Sequence, residues 1–176
     1  MIETEVKIRA ADPKGLKARL LGLGAVVTRD RYLETNVLYD DRAGSLTAKR
    51  EALRLRVIGK RAWLTFKGAP RKSRSFKVRP EFESEVRDPA SFRKILKVLG
   101  LRPVFRYRKH RTLLRKGRLA ICLDETSVGD YLELEGKRSD IVRFARSLGH
   151  TRADFITLDY VAMIAAAAAA GKNGKG

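Results

Sequence analysis

The sequence predicts an α+β fold: an eight-stranded antiparallel β-barrel enclosing a tunnel, with helices packed outside and two pseudo-repeated halves. Three observations predict it. Strand-length segments of alternating polarity recur along the chain, two helical segments share one capping grammar, and charges gather on a single face of nearly every strand. Residues two apart on a strand share a face, and closing a set of such strands removes exposed edges.

The first strand spans residues 2–10. Glu3, Glu5 and Lys7 share one face, and Ile2, Thr4, Val6 and Ile8 take the other. Alone, this is an amphipathic strand with wetted charges. Asp12-Pro13 then opens a helix, with Asp as N-cap and Pro at the first helical position, followed by Leu16, Leu20 and Leu23 before Gly24. Strands follow over 32–41, 52–59 and 62–68, the last two joined by turn chemistry at Gly59-Lys60. The strand at 74–87 carries Glu83-Ser84-Glu85-Val86-Arg87, an echo of Glu3-Thr4-Glu5-Val6-Lys7, and runs into a second helix at Asp88-Pro89 that ends at Gly100. Strands over 104–115, 117–124 and 130–136 follow, with Lys116-Gly117 and Gly129-Asp130 as turns. Each half therefore reads strand–helix–strand–strand–strand. A third helix is expected from Ser139 as cap to Gly149, and a fourth from near Thr157 into the alanines at 165–170. The expected division is a tunnel domain over 1–165 and a flexible Ala/Gly/Lys tail over 166–176.

Composition narrows the function. The chain has 176 residues, 44% of them apolar, which suits one soluble globular domain with a substantial core. Its net charge of +19 favours polyanionic partners such as nucleic acid, polyphosphate or nucleotides. The single cysteine, Cys122, excludes an internal disulfide and a cysteine zinc cluster. With no leader-like start and no apolar run long enough to span a bilayer, a cytoplasmic protein without a membrane partner is expected.

The amphipathic helices need apolar strand faces to pack on. With helices outside, the apolar faces point outward and the charged faces inward. The predicted lining then holds the carboxylates Glu3, Glu5, Glu81, Glu83, Glu85, Asp124, Glu133 and Glu135. Its cations are Lys7, Arg9, Arg54, Arg56, Lys67, Lys77, Arg79, Lys109 and Arg111. Unpaired buried charges cost several kcal/mol each, so such a lining must be a wet site holding its own counter-ions. Oxygen-only ligands suit Mg²⁺ or Mn²⁺, and guanidinium and ammonium groups suit phosphates. A metal-bound triphosphate accounts for both sets.

These residues resemble the CYTH domain, or triphosphate tunnel metalloenzyme, family. The resemblance rests on Glu3-x-Glu5-x-Lys7, Asn36-x-x-Tyr39-Asp40, Leu53-Arg54-x-Arg56 and Leu64-Thr65-x-Lys67-Gly68. It continues in Arg79-x-Glu81-x-Glu83, Lys109-x-Arg111, Asp124 and Glu133-x-Glu135, and covers about residues 2–160. It implies a divalent-metal-dependent reaction at a triphosphate. Lys7, Arg54, Arg56, Lys67, Arg79, Lys109 and Arg111 would grip phosphates. Glu3, Glu5, Asp124, Glu133 and Glu135 would hold Mg²⁺ or Mn²⁺, with Glu81 or Glu83 helping to position it. Glu5, Lys67 and Glu83 are the expected catalytic residues. The run Glu81-x-Glu83-x-Glu85 offers three carboxylates where two are expected.

The same resemblance admits two reactions: hydrolysis of inorganic triphosphate or an organic triphosphate, taken first, and cyclisation of ATP to cyclic AMP by a class IV adenylyl cyclase. The rival of another class is a non-catalytic binder of polyphosphate or RNA. Nucleic acid is the weaker partner, because carboxylates interleaved with the arginines repel phosphates unless metal intervenes. A homodimer stays open as an assembly. Cys122 reads as a wall or packing residue, since no base is positioned beside it. Trp63 shares parity with Thr65 and Lys67 and reads as packing or as a stacking platform at the tunnel mouth. Basic pairs at Lys49-Arg50, Lys60-Arg61, Arg71-Lys72 and Arg115-Lys116 would steer anions toward it.

Overall fold

Eight strands close into an antiparallel barrel in the order β1-β5-β4-β3-β2-β6-β7-β8. The computed structural model describes residues 2–173. The strands are β1 (Ile2–Arg9), β2 (Val26–Asp40), β3 (Ala52–Ile58), β4 (Arg61–Lys67), β5 (Lys77–Val86), β6 (Arg102–Lys116), β7 (Leu119–Thr126) and β8 (Gly129–Glu135). The helices are α1 (Pro13–Gly22), α2 (Ser45–Ala48), α3 (Pro89–Val98), α4 (Arg138–Ser147) and α5 (Tyr160–Asn173), with a 3₁₀ turn at Arg152–Asp154. The repeat is present in this order: β1-α1-β2-β3-β4 is followed by β5-α3-β6-β7-β8. Its caps match as well. Asp12 accepts from Gly15 N, and Asp88 from Ala90 N and Ser91 N. Gly24 and Gly100 leave the two helices at the same φ of 79°, a left-handed conformation that glycine adopts without penalty.

Several boundaries differ from the sequence expectation. β2 begins at Val26 rather than 32, because Thr28–Arg31 is exposed on both faces and shows no apolar alternation. β5 begins at Lys77; residues before it form a turn in which Phe76 N donates to Ser73 Oγ. The β7–β8 turn occupies 127–128, ahead of the expected Gly129-Asp130. Ser139 is not the cap of α4: the helix starts at Arg138, and Lys137 at the N-cap makes no side-chain bond. The last helix starts three residues later than expected, with Asp159 Oδ1 accepting from Ala162 N. The alanine run lies within α5, and residues 174–176 lie outside the described residues. No described helix is long and apolar enough to cross a membrane.

The chain divides into two compact units. The first comprises Met1–Glu3, Leu33–Lys72 and Val78–Arg108; the second comprises Thr4–Tyr32, Ser73–Lys77 and Lys109–Gly176. In the first, Leu96 of α3 is buried among Val37, Tyr39, Leu55, Ala62 and Val86, with Phe92, Leu53 and Leu64 beside them. Helix α3 thus covers the apolar face of β2–β5, and the charged side chains take the opposite, lumen-side face. In the second unit the apolar alternates are buried in the same way: Val6 and Ile8 of β1, Ile121 and Leu123 of β7, Leu132 and Leu134 of β8. The apolar stripe of α4, Ile141, Phe144, Ala145 and Leu148, is buried as well. Helices α1 and α4 are tied by Arg19, which donates to Leu148 O at 2.8 Å.

Candidate functional site

Strand pairing decides which charges meet. In the first unit, Lys67 stands opposite Glu81 and Thr65 opposite Glu83 across β4 and β5. Lys67 Nζ donates to Glu81 Oε2 at 2.6 Å and to both oxygens of Glu3 at 3.0 and 3.1 Å. Arg79 Nε lies 3.5 Å from Glu3 Oε2. Glu83 receives Arg56 Nη2 at 2.8 Å and the Thr65 hydroxyl at 2.6 Å, and Thr65 Oγ1 accepts in turn from Arg54 Nη2. Burial alone would raise the Glu81 pKa, but its hydrogen bond with Glu3 and the charge of Lys67 lower it. Arg54 is held protonated against burial by Tyr107, Glu34, Glu81 and Glu83. The Nε atoms of Arg54 and Arg56 and both side-chain atoms of the buried Asn36 make no hydrogen bond among the described residues. Buried polar groups are nearly always bonded, so these atoms are available to a ligand or water.

In the second unit Lys7 stands opposite Glu133, and Arg111 opposite Asp124. Lys7 Nζ contacts Glu5 at 3.0 Å and Glu133 at 3.1 Å. Arg111 grips Asp124 through Nε and Nη2, both at 2.6 Å, and reaches Glu133 at 2.8 Å. Lys109 adds a contact to Asp124 at 2.9 Å, and Lys77 lies 3.7 Å from Glu5. Burial would raise the pKa values of Asp124 and Glu133, yet both are lowered: Asp124 by Arg111 and Lys109, Glu133 by Lys7 and Arg111. The same pairing raises Lys7 and Arg111 against the pull of burial. Glu135 stands opposite Glu5 and is half-buried at the end of the row.

Two residues here escaped the sequence reading. Tyr160, at the start of α5, is 4% exposed and donates to Asp124 Oδ2 at 2.7 Å. The ammonium groups of Lys7 and Lys109 lie 5.1 and 4.8 Å from its ring centre, within cation–π range. Asp159 receives Lys77 Nζ at 3.2 Å. The only signal was the Asp-Tyr pair heading an otherwise apolar helix. Hydrogen bonds to charged groups contribute about 1.5–3 kcal/mol. Tyr160→Phe should therefore lower stability by roughly that amount, read as a shift in urea midpoint at constant slope; an unchanged midpoint would show that the bond contributes nothing.

Other expected members of the lining lie elsewhere. Glu85 has a side chain 46% exposed and is forked by Arg61 at 2.8 and 3.0 Å, because it sits where β5 runs out of the sheet. Arg9 is exposed and bonds the Tyr131 hydroxyl. Trp63 is flanked by Arg56 and Arg61, 5.3 and 4.9 Å from its ring centre. Cys122 is buried on the charged face, where desolvation pushes its thiol well up and keeps it protonated. Asp40 caps α2. Burial would raise its pKa, but the Thr47 hydroxyl and the N–H groups of Leu46, Thr47 and Asp41 bring it down to about 2.

The donors suit a hard divalent ion in kind. Glu3, Glu5, Asp124 and Glu133 are buried all-oxygen ligands, and Asp124 and Glu133 are held ionised. They are not preassembled. Among the described residues no three His, Cys, Asp or Glu side chains converge as a metal-binding group, and a Lys or Arg engages each of these four carboxylates.

The closed eight-stranded antiparallel barrel with five helices places the chain in the α+β tunnel class of fold. The CYTH domain profile matches residues 1–156, and the chain belongs to the CYTH family. Solved structures share the architecture. A Vibrio parahaemolyticus protein provisionally described as an adenylate cyclase is 20% identical with a TM-score of 0.83, covering 94% of this chain and 98% of its own. A protein from Pyrococcus horikoshii OT3 is 24% identical with a TM-score of 0.77, covering 92% and 98%. HpAC1 from Hippeastrum, described as having a dominant triphosphatase activity, is 19% identical with a TM-score of 0.69, covering 94% and 95%. No curated protein matches the chain.

Proposed function

We propose that this protein is a divalent-metal-dependent phosphohydrolase acting on inorganic triphosphate or a triphosphorylated organic compound. The observation that carries the reading is that buried carboxylates and buried Lys and Arg side chains alternate on one face of the strands in each unit, each neutralising the other. Such pairing leaves cations ready to exchange a carboxylate for a phosphate oxygen. Arg54, Arg56, Lys67 and Arg79 in the first unit, and Lys7, Lys109 and Arg111 in the second, are the phosphate grips. The guanidiniums bind as forks and the ammoniums as point charges. Glu3, Glu5, Asp124, Glu133 and Glu135 are the ligands for Mg²⁺ or Mn²⁺, with Glu81 and Glu83 supporting them. When bound, the ion supplies charge neutralisation of the phosphates and a lowered pKa for a coordinated water. Lys67 and Arg56 then stabilise charge spreading over the transferred phosphoryl group, Glu83 orients Arg56, and Glu5 holds Lys7 in place.

Hydrolysis is favoured over cyclisation because Trp63, the aromatic ring at the charged face of β4, already has the guanidiniums of Arg56 and Arg61 against it, which compete with a purine for the ring. The description of HpAC1 as chiefly a triphosphatase supports the same choice. The test is phosphate release and cyclic AMP formation over tripolyphosphate, thiamine triphosphate and ATP with Mg²⁺ and Mn²⁺. Glu5→Gln should reduce turnover by about 10²–10³-fold while retaining the fold. Activity that survives this change with the same metal dependence removes Glu5 from the ligands. Retained RNA binding without turnover of any substrate would replace the enzyme with a binding protein.

A further inference from the structure

Beyond the charged face of the barrel, the second unit holds a cavity of about 790 Å³ walled by Arg74, Arg138, Arg143, Arg146 and Arg152 around Phe76. Phe76 precedes Lys77, the first residue of β5, and α4 and the 3₁₀ turn at Arg152–Asp154 line the rest of the cavity. The spacing of α4 builds one wall. Residues 138, 142 and 146 recur every fourth position and so share a stripe, with Ser139 and Arg143 on the next. The loop before β5 supplies the other wall, including the hydroxyls of Ser73 and Ser75.

Most of the charge of this cavity has no carboxylate beside it. Arg143 has a carboxylate partner, Asp140 at 2.7 Å; among the described residues the other four arginines have none. Arg138 also sits in the first turn of α4, where the helix dipole disfavours a cation, and the N-cap beside it is Lys137. Five exposed arginines around one cavity with no Asp or Glu in its lining set up a local positive potential that attracts anions. The guanidinium carbons of Arg138 and Arg152 lie 5.4 and 6.0 Å from the Phe76 ring centre, within cation–π range, and their N–H edges can still donate.

We propose that this cavity is a second anion site that binds a chain of inorganic phosphates. A run of phosphates presents repeated charge to guanidinium forks and hydroxyl donors and needs no apolar surface. Nucleic acid fits less well. The Phe76 ring is 6% exposed and packed edge-on against Phe155, so no aromatic face is free to stack a base. The site stands independently of the reaction proposed for the barrel.

The test is calorimetric titration of the full chain with short-chain polyphosphate, without divalent ions and at physiological salt, beside an RNA oligonucleotide of equal charge. The wild type should show two classes of polyphosphate site. Arg74→Ala/Arg146→Ala, two exposed positions, should weaken one class at least about tenfold. It should leave the thermal midpoint and tripolyphosphate turnover unchanged, and Arg74→Lys/Arg146→Lys should fall between. Lys67→Ala should spare that class. A titration of the alanine variant that superimposes on the wild type, or displacement of polyphosphate by RNA at equal charge, overturns the proposal.

Discussion

Asp124→Ala should be among the most destabilising single changes in the chain, by about 3–5 kcal/mol, the range for breaking a buried ion pair from one side. Asp124 is 1% exposed and receives four contacts: two from Arg111, one from Lys109 and one from Tyr160. Removing its charge takes from the buried Lys109 and Arg111 the carboxylate they share, while Glu133 still reaches Arg111. Asp124→Asn, with the same shape and no charge, should lie closer to the alanine variant than to wild type, which separates charge from packing. The pH dependence supplies a second readout. The folded pKa values of Asp124 and Glu133 lie below those of the unfolded chain. Each carboxylate therefore contributes stability that is fully present above its unfolded pKa, near 4, and is lost as pH falls through the folded value. The wild type should lose stability steeply below about pH 4, and Asp124→Ala should have a shallower acid limb. A loss under about 1 kcal/mol with an unchanged acid limb would mean that water, rather than Asp124, neutralises the cations.

Parity made much of this legible from sequence. Glu3, Glu5 and Lys7 look like a solvated edge on their own strand. Only their recurrence, in Arg54/Arg56, Lys109/Arg111 and Glu133, identifies that side as the lining. The apolar alternates then had to meet helices, as Leu55 and Ala62 do beneath Leu96. Parity could not give depth along a strand. Glu85 and Arg9 share parity with lining residues, but both lie at strand ends, where the side chain reaches solvent. Nor could parity give partners distant in sequence. Lys67 finds Glu3 across 64 residues, and Tyr160 reaches Asp124 from a helix whose composition reads as plain apolar packing. Lys137 and Arg138 carry no polar cap, and Ser139, the cap residue the sequence offers, stands two positions after the N-cap of α4.

Depth along β5 yields the other large effect. Glu81, Glu83 and Glu85 share one face and differ only in position, their side chains being 18%, 30% and 46% exposed. Glu81 is held by Lys67, Glu83 by Arg56 and the Thr65 hydroxyl, and Glu85 by the exposed Arg61. If the first two orient the phosphate grips, Glu81→Gln and Glu83→Gln should each lower kcat/KM for tripolyphosphate by about 10²-fold or more, while Glu85→Gln stays within about twofold. Glutamine keeps the shape and an acceptor oxygen, so Thr65 retains its bond at Glu83 and Lys67 keeps Glu3, and each variant is assayed well below its own thermal midpoint, where it is fully folded. Any deficit then belongs to charge in the transition state rather than to a smaller folded fraction. The exposed Arg61–Glu85 pair also serves as an internal control, since solvent-exposed ion pairs contribute little. Equal losses at all three positions would show that the whole strand face, through to its exposed end, meets the substrate. Equal retention would remove Glu81 and Glu83 from the site and leave the orienting of Lys67 to Glu3.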